Sequence, residues 1–399
     1  MSAEWRHAND LIGAHACQAT LRTTQLCARA AGGGEHVRRG RTTILLLCFN
    51  EPLPSDRSHM RGVLASVLAG GSLLYMASRH AVPAATECHV NTDVEVPLFS
   101  FGIIADVQWA DVPDGSNFDG SVKRCFRGSL GVLSDAVDWW RAQPLSLTFV
   151  AQLGDLIDGR NAKLGTSQNA IEGALKHLRR APCRVVSLIG NHELYNFDRP
   201  TLATLLGTAP ESGGGREFYS FVPAQGWRII VLDPYQESTL GWPAGDPRRA
   251  RAEQTLAANN PNDLSTGQWF TGLVGVAKRF VPYNGGLGRE QLRWLHRELR
   301  LAAAEGELVI ILSHAVLHPQ ACDGTTMAWD YELALESIQR SGVVALVLCG
   351  HDHRGQYHWD SEHGTCHQGP TQGPICPGLP LANLNCSPGA HTGPRSPLQ

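Results

Sequence analysis

The sequence lacks the features that define several classes of protein. Its 399 residues carry a formal net charge of only −3, and the positive residues form no long run, so the basic footprint of a nucleic-acid-binding protein is missing. The 11 cysteines are odd in number and include no CxxC pair, which argues against a disulfide framework and against a structural zinc module. A reducing compartment such as the cytosol is therefore the simplest expectation.

The sequence also lacks a clear membrane span. The apolar run that starts at Met60, MRGVLASVLAGGSLLYMASRHAVPAA, is too short and too rich in glycine to cross a bilayer. It is similar to a secretory signal peptide, but a signal at this position would require translation to begin at Met60. We therefore expect a cytoplasmic protein without a membrane partner and interpret the segment as part of an irregular leader.

Composition divides the chain into three regions. Residues 1–95 show no sustained hydrophobic period apart from TILLLCF at 43–49, which predicts a poorly ordered N-terminal extension. Hydrophobic residues make up 43% of the whole chain, enough for a sizeable core, and their regular runs are concentrated in residues 96–367. Residues 368–399 are rich in glycine and proline, and we expect them to form a disordered tail.

Six apolar runs in the central region are predicted to be strands buried on both faces. They are LFSFGIIAD, LTFVAQLGD, CRVVSLIGN, WRIIVLD, ELVIILSH and VVALVLCGH. Helical patterns lie between several of them, for example in SLGVLSDAVDWWRAQ and REQLRWLHRELRLAAAEG. Alternating strands and helices predict an α/β fold. Residues 234–284 contain no clear element, and we interpret them as an insertion that forms a lid or a substrate loop.

Polar residues of the types that bind metals follow five of these six runs. In chain order they are Asp106 and Gln108, Asp155, Asn191 and His192, His314, and His351 with His353. The carboxyl ends of the strands of an α/β sheet lie at one edge, where binding sites form. Each residue alone has an ordinary explanation, such as a turn aspartate or a buried histidine bonded to the backbone. Five such endings in order along one chain instead predict a shared metal site.

The ordered set Asp-x-Gln, Gly-Asp, Gly-Asn-His-Glu, His and Gly-His-x-His resembles the calcineurin-like metallophosphoesterase superfamily over about residues 99–357. Gln108 departs from the histidine that is usual at that position of the superfamily. The stretches FSFGIIADVQWADVPDGSNFDG, QLGDLIDGRNA, GNHELYNF and YNGGLGREQLRWL are similar to one of its families, the manganese-dependent ADP-ribose/CDP-alcohol diphosphatases, in which Asp-x-Gln is the rule. The resemblance implies a metallophosphoesterase-type α/β/β/α sandwich. Because the sequence after residue 367 does not resemble the superfamily, we expect C-terminal strands to be missing.

The resemblance also implies a site for two divalent cations. Cations roughly 3.5–4 Å apart can stabilise both the attacking and the leaving oxygen of a displacement at phosphorus. Asp155 would bridge the two cations. The other expected ligands are Asp106, Gln108 and His353 for one cation, and Asn191, His314 and His351 for the other. This set of oxygen and nitrogen ligands contains no thiolate and suits Mn²⁺ or Mg²⁺ better than structural Zn²⁺. The resemblance implies Mn²⁺, with Mg²⁺ as the weaker alternative.

His192 and Asp155 are the expected catalytic residues. His192 follows a predicted ligand and would protonate the leaving phosphate oxygen instead of binding metal. The roles of Asp158, Asn161 and Glu193 stay open between orienting the site and ordinary capping or turn formation.

The expected reaction is hydrolysis of the diphosphate bond of ADP-ribose and of CDP-alcohols (CDP-choline, CDP-glycerol) to AMP or CMP and a phosphorylated product. Phe118 and Tyr195 are candidates for contacting the substrate, although both are equally compatible with a place in the core. Two alternatives stay open: a phosphomonoesterase or cyclic-nucleotide phosphodiesterase on the same fold, and a catalytically silent truncated isoform. The expected partners are small nucleoside diphosphate derivatives, and the chain is expected to be a monomer.

Overall fold

Strands and helices alternate along the part of the chain that the computed structural model describes, which is residues 22–23, 45–49, 98–116, 120, 123–143, 146–207 and 218–369. The strands are β1 (Arg22–Thr23), β2 (Leu45–Phe49), β3 (Phe99–Ile104), β4 (Gly115–Ser116), β5 (Lys123–Arg124), β6 (Phe149–Gln152), β7 (Arg184–Ser187), β8 (Tyr219–Ala224), β9 (Trp227–Val231), β10 (Leu308–Ser313), β11 (Val344–Cys349), β12 (Tyr357–Asp360) and β13 (Thr365–Gln368). The helices are α1 (Phe126–Arg141), α2 (Arg160–Leu164), α3 (Ser167–Leu178), α4 (Asn191–Asn196), α5 (Arg199–Leu206), α6 (Pro247–Asn259), α7 (Gly288–Glu305) and α8 (Tyr331–Ser341). Short 3-10 helices lie at Leu264–Thr266 and Gly275–Arg279.

Two mixed sheets form the centre of the fold. The first has the order β1-β2-β3-β6-β7, in which β3, β6 and β7 are parallel. The second has the order β12-β13-β11-β10-β9-β8, in which the four central strands are parallel and the two edge strands are antiparallel. The six apolar runs predicted to be strands are therefore confirmed as β3, β6, β7, β9, β10 and β11.

The hydrophobic core lies partly between the two sheets. Phe101 and Phe149 of the first sheet pack in one cluster with Ile229, Ile310 and Leu346 of the second. All five side chains are at most 3% exposed, and full burial of side chains of this size stabilises the fold by roughly 1.5–3 kcal/mol each. This cluster joins the two sheets face to face.

Helices cover the outer face of each sheet. Leu133 of α1 and Ile171 of α3 pack with Val150 on the outside of the first sheet. Leu295 of α7 and Ile338 of α8 belong to the cluster on the outside of the second sheet. The order of layers is therefore helix, sheet, sheet, helix, and the predicted α/β/β/α sandwich is confirmed.

Close packing of α1 on β3 depends on Gly102. A Cβ atom at this position would lie 2.5 Å from Nε1 of Trp140, closer than two heavy atoms can approach without displacement. Trp140 is 1% exposed, so it cannot move aside into solvent. The glycine of the first apolar run thus allows the helix to sit directly on the strand that carries the first predicted ligands.

The prediction that residues 234–284 contain no element is wrong, because α6 begins within this segment. Asp246 caps the helix by accepting a hydrogen bond from the Arg248 backbone N–H, and Pro247 occupies the first helical position. Only Ala252 and Leu256 of α6 are buried, so the helix has no wide apolar stripe to reveal it. The Asp-Pro pair was the signal that could have found it.

Two short strands follow the Gly-His-x-His turn, whereas the expectation that C-terminal strands are missing after residue 367 stays a prediction. β12 and β13 follow that turn, and β13 pairs in parallel with β11, so the second sheet continues beyond the last predicted ligand. Their four-residue length and their histidines hid them from a search for apolar runs. The predicted tail lies outside the described residues apart from residues 368 and 369.

The predicted N-terminal extension, residues 1–95, contributes two strands to the first sheet. β2 pairs antiparallel with β3, and β1 pairs antiparallel with β2. By pairing with β3, β2 supplies partners for backbone N–H and C=O groups at this edge of β3. The rest of residues 1–95, including the segment after Met60, lies outside the described residues. Among the described residues no helix is long and apolar enough to cross a membrane.

Candidate dimetal centre

Backbone strain in the described residues is concentrated at predicted metal ligands. Four non-glycine residues have a positive φ: Asp106 at 54°, Gln108 at 46°, Asp155 at 58° and His351 at 70°. This left-handed conformation costs free energy for residues with a Cβ atom, and it persists where surrounding contacts require it. All four residues follow strands, so the strain turns their side chains toward one edge of the sheets.

The predicted ligands converge at this edge in two overlapping groups. Asp155, His314 and His351 have potential ligand atoms within 4.8 Å of one another, and so do Asp106, Asp155 and His353. Asp155 belongs to both groups. The arrangement is the one expected for two cations that share a single bridging carboxylate.

Asp155 lies at the middle of the centre and is 0% exposed. Its Oδ2 accepts a hydrogen bond from Nε2 of Gln108 at 3.0 Å and lies 3.4 Å from Nε2 of His314, while its Oδ1 accepts from the backbone N–H of His192 at 2.9 Å. Burial alone would raise the pKa of Asp155, but the neighbouring His192, His314 and His351 hold that pKa well below its ordinary value. The residue is therefore an anion, as a bridging ligand must be.

His314 presents one ring nitrogen to this carboxylate and anchors the other. Its Nδ1 lies 2.7 Å from the carbonyl oxygen of Leu153, which fixes the proton on Nδ1. Its Nε2 has no hydrogen-bond partner among the described residues, although the side chain is 0% exposed. Although burial opposes a charged imidazole, the carboxylate of Asp155 raises the pKa of His314 to about 9. The second proton of the charged ring is on Nε2, which faces Asp155. A cation bound at Nε2 would replace this proton and give the buried nitrogen a partner.

His351 is oriented by Asn284, a residue that the sequence interpretation did not single out. Asn284 uses its Nδ2 to donate to the carbonyl oxygens of Arg279 and Thr325, so its Oδ1 faces His351 Nε2 at 2.8 Å. The Nε2–H of His351 therefore donates to Asn284, and Nδ1 is left unprotonated toward the centre. Metal-binding histidines commonly need such a partner for the second nitrogen.

We expect Asn284→Ala to weaken Mn²⁺ binding about 10- to 100-fold, because the variant loses the partner that fixes the tautomer of His351. The measurement is the free Mn²⁺ signal in electron paramagnetic resonance during titration of the protein. Asn259→Ala, an exposed position on α6, is the matched control and should bind as the wild type does. Unchanged affinity in Asn284→Ala would remove the proposed orienting role.

Gln108 and His353 form the second side of the centre together with Arg124. Nε2 of His353 lies 3.1 Å from Oδ1 of Asp106 and 3.2 Å from Nε2 of Gln108. The guanidinium of Arg124 donates to Oε1 of Gln108 and lies 2.7 Å from Nδ1 of His353. Rotating the Gln108 amide by half a turn would bring its oxygen to the side of Asp155, where a cation needs it. Arg124, on the short strand β5, is thus a positive charge directly beside two predicted ligands.

Asn191 is held by two tyrosines at the start of α4. Its Nδ2 donates to the hydroxyl oxygen of Tyr195 at 3.2 Å, and the hydroxyl of Tyr235 donates to its Oδ1 at 3.4 Å. The ring of Tyr235, which is 0% exposed, lies 6.0 Å from that of His314. The role of Asn191 as a ligand of the second cation stays a prediction.

His192 points its Nε2 toward the centre. The backbone N–H of Gly159 donates to its Nδ1 at 2.8 Å, so the neutral imidazole carries its proton on Nε2. That Nε2 lies 3.8 Å from Oδ2 of Asp155. Asp158 lies beside this ring: its Oδ1 accepts a hydrogen bond from the Arg160 backbone N–H at 2.9 Å, and its Oδ2 lies 3.4 Å from Nδ1 of His192.

Glu193 holds the Gly-Asp turn through hydrogen bonds to its backbone. Its carboxylate accepts hydrogen bonds from the backbone N–H groups of Asp155, Leu156 and Gly190 at 2.6–2.8 Å. Burial and the nearby charge of Asp155 raise the pKa of Glu193. These hydrogen bonds lower it, but only in part, so the pKa stays above its ordinary value. Asn161 is structural as well, since its Nδ2 donates to the carbonyl oxygens of Trp109 and Asp158.

The donor set fits two divalent cations of the Mn²⁺ or Mg²⁺ type. It offers carboxylate oxygens, amide oxygens and imidazole nitrogens without a thiolate, and the buried Nε2 of His314 has no hydrogen-bond partner among the described residues.

Of the two candidate substrate contacts, Tyr195 lies beside His192 with a ring separation of 5.4 Å and is 38% exposed, whereas Phe118 lies outside the described residues.

The layered fold and the shared aspartate define a dimetal phosphoesterase. The family model described as calcineurin-like phosphoesterase matches residues 99–355, and the chain belongs to this family. The resemblance stated from the motifs is therefore confirmed.

Curated relatives and a solved structure agree with this assignment. The chain is 39% identical over 285 residues to the manganese-dependent ADP-ribose/CDP-alcohol diphosphatase of Oryza sativa subsp. japonica, covering 71% of this chain and 86% of that protein. It is 36% identical over 282 residues to the protein of the same name from Homo sapiens, covering 67% of this chain and 81% of that protein. The crystal structure of a dimetal phosphatase from Danio rerio superposes with a TM-score of 0.65 at 37% identity, covering 70% of this chain and 88% of that one.

Proposed function

We propose that this protein hydrolyses the diphosphate bond of ADP-ribose and of CDP-alcohols, releasing AMP or CMP and a phosphorylated product. The observation that carries the proposal is the convergence of five predicted ligands in two groups that share Asp155, with Gln108 bonded to the same carboxylate, in a chain 34–39% identical to diphosphatases of that name. A bound cation pair at such a site neutralises phosphate charge and polarises the phosphorus–oxygen bond. The residues named above would hold Mn²⁺, with Mg²⁺ as a weaker substitute.

His192 supplies the proton for the leaving group. Its Nε2 faces the centre, 3.8 Å from Oδ2 of Asp155. The acid is the imidazolium form of His192, which passes the Nε2 proton to the leaving oxygen and becomes a neutral imidazole protonated on Nδ1. In the imidazolium form, Oδ2 of Asp158, which lies 3.4 Å from Nδ1, accepts the Nδ1–H in place of the contact between Nδ1 and the Gly159 backbone N–H. Tyr195, next to this ring and partly exposed, is the proposed contact for the substrate.

Arg124 is the proposed partner of a substrate phosphate. Its guanidinium lies at the ligands of one predicted cation, and a cation bound there would repel it toward an anionic substrate. We expect Arg124→Ala to lower kcat/KM about 10- to 100-fold, mainly through KM, because a hydrogen bond to a charged group contributes roughly 1.5–3 kcal/mol.

The measurement for Arg124 is steady-state kinetics at saturating Mn²⁺, with Lys123→Ala as the neighbouring control. Lys123 has a side chain that is 60% exposed, so its removal should leave KM unchanged. Arg124→Lys should recover only part of the loss, because lysine keeps the charge without the planar fork. A fall in kcat alone, with KM unchanged, would contradict phosphate binding by Arg124.

The proposed reaction is tested by comparing three substrate classes in Mn²⁺. AMP release from ADP-ribose and CMP release from CDP-choline and CDP-glycerol should exceed turnover of a phosphomonoester and of a cyclic nucleotide. Faster turnover of either of the latter two would replace the proposal by the corresponding alternative. Thermal stabilisation by Mn²⁺ without any turnover would indicate a silent metal-binding protein.

The cellular location and the absence of macromolecular partners stay predictions. Among the described residues Cys125 is disulfide-bonded, and Cys183, Cys322, Cys349 and Cys366 are free thiols. We propose a cytoplasmic monomer, to be tested by fractionation and by light scattering.

A further inference from the structure

A second group of buried titratable side chains lies outside the dimetal centre. We call it the distal histidine cluster, and it consists of His318, His358, Asp360 and His367. His318 belongs to the loop after β10, and the other three belong to the hairpin of β12 and β13. His358 and His367 are direct cross-strand partners, so their side chains share one face of the hairpin.

The rings of this cluster are in direct contact. The ring centroids of His318 and His358 are 4.3 Å apart and nearly parallel, and those of His318 and His367 are 4.5 Å apart. Potential ligand atoms of His318, Asp360 and His367 all lie within 4.8 Å of one another. These three side chains are buried, with exposures of 6%, 8% and 1%.

His367 is the observation that points to a ligand. Neither of its ring nitrogens has a hydrogen-bond partner among the described residues, although the residue is 1% exposed. A buried polar group without a partner costs roughly 1–3 kcal/mol, so a structure rarely keeps one without a reason. The rings of His318 and His367 are uncharged at neutral pH, because burial and the neighbouring histidines lower the pKa of His318 to about 4 and that of His367 to about 3. These two rings therefore supply no positive charge that would balance Asp360.

Asp360 supplies a fixed negative charge next to these neutral rings. Its Oδ2 accepts hydrogen bonds from Nε2 of Gln339 at 3.0 Å and lies 2.9 Å from Nδ1 of His363. Although burial works against ionisation, these hydrogen bonds lower the pKa of Asp360 to about 2. Carboxylates that bind metals are usually held by hydrogen bonds of this kind.

We propose that His318, Asp360 and His367 bind one Zn²⁺-type transition-metal cation, separate from the catalytic pair. Two neutral imidazoles and one carboxylate are ligands that Zn²⁺ accepts, and a fourth position remains for water or for His358. His318 has a competing contact, since its Nδ1 accepts a long hydrogen bond of 3.2 Å from the Gln320 backbone N–H. Metal binding breaks this bond in either case: Nδ1 gives its lone pair to the cation if it is the ligand, and Nδ1 carries the ring proton if Nε2 is the ligand.

The cation fastens the hairpin to the loop after β10. His318 is four residues beyond His314, and β12 begins four residues beyond His353, so both connected segments also carry ligands of the dimetal centre. The distal cluster thereby restrains two of the five loops that form the catalytic site. Its role is structural, and the cluster takes no part in the reaction itself.

Zinc stoichiometry tests the proposal on the full-length protein. After equilibrium dialysis against Zn²⁺, metal per chain is counted by inductively coupled plasma mass spectrometry for the wild type, His318→Gln and His367→Gln. Each variant should hold one Zn²⁺ fewer than the wild type. His296→Gln, which removes an exposed histidine of α7, is the matched control and should keep the wild-type count.

Equal zinc counts in the wild type and both variants overturn the proposal. Circular dichroism in chelator establishes whether each variant folds, and if His367→Gln does not, the count for His318→Gln decides. A smaller rise in melting temperature with Zn²⁺ in the variants than in the wild type provides a second supporting readout. Failure of the dimetal centre would lower the counts of all the proteins alike and would leave the difference between them intact.

Discussion

His192→Ala should lower the turnover of ADP-ribose by about 10²–10⁴, the contribution expected of a positioned general acid. The proton that the variant cannot supply is the Nε2 proton of the imidazolium, and Nε2 faces the centre at 3.8 Å from Oδ2 of Asp155. The alanine variant should retain its full complement of Mn²⁺, since the imidazole belongs to neither group of converging ligand atoms. The measurement is kcat at saturating Mn²⁺ together with a metal count on the same preparation.

His296→Ala is the control for removing a histidine without touching the centre, because this residue is exposed on α7. Its kcat and metal content should match those of the wild type. Turnover of His192→Ala within a factor of about two of the wild type would exclude general acid catalysis by this residue, given the expected contribution. A parallel loss of metal and turnover would instead identify His192 as a ligand.

The ligands could be predicted from the sequence because the topology leaves them few alternatives. Strands such as β6 and β10 are buried on both faces and therefore appear as continuous apolar runs. A polar residue directly after such a run must lie at the carboxyl edge of its sheet, and this is where Asp155 and His314 are found. The pattern locates the residues without any knowledge of their contacts.

The residues that orient the ligands had no comparable signal. Asn284 meets His351 across 67 positions of sequence, and Arg124 meets His353 across 229. Neither residue ends an apolar run, so nothing local distinguishes it from a turn residue or a surface charge. Glu193 was visible as part of the Gly-Asn-His-Glu motif, but its role depends on backbone N–H groups of a different loop. Contacts between loops require the tertiary fold.

The edge strands were missed for a related reason. β8 contains no fully buried residue, and β12 contains one, so their sequences do not form apolar runs. Edge strands have a neighbour on one side only and tolerate polar residues that central strands exclude. In the edge strand β12 these polar residues include His358 and Asp360 of the distal cluster, and the neighbouring β13 contributes His367, so neither strand forms an apolar run.

Asp155→Asn should abolish the stabilisation of the fold by Mn²⁺ and lower turnover by at least about 10³, because both predicted cations lose their shared anionic ligand. A loss of this size corresponds to roughly 4 kcal/mol of transition-state stabilisation, within the range expected of metal-ion catalysis. Wild-type protein should gain about 2.7 kcal/mol in free energy of unfolding for each bound cation when Mn²⁺ is at 100 times its dissociation constant. The variant should gain close to nothing at the same concentration.

The measurement is thermal unfolding in chelator and in Mn²⁺, followed by circular dichroism, with ADP-ribose turnover determined in parallel. Asp111→Asn makes the same chemical change at a carboxylate whose side chain is 76% exposed, five residues after Asp106, and should respond to Mn²⁺ as the wild type does. Because an asparagine amide can keep some of the neutral contacts of Asp155, the metal-free variant should still fold. An Mn²⁺-dependent stabilisation of Asp155→Asn equal to that of the wild type would mean that the cations bind elsewhere, and the two groups of converging side chains would then need another explanation.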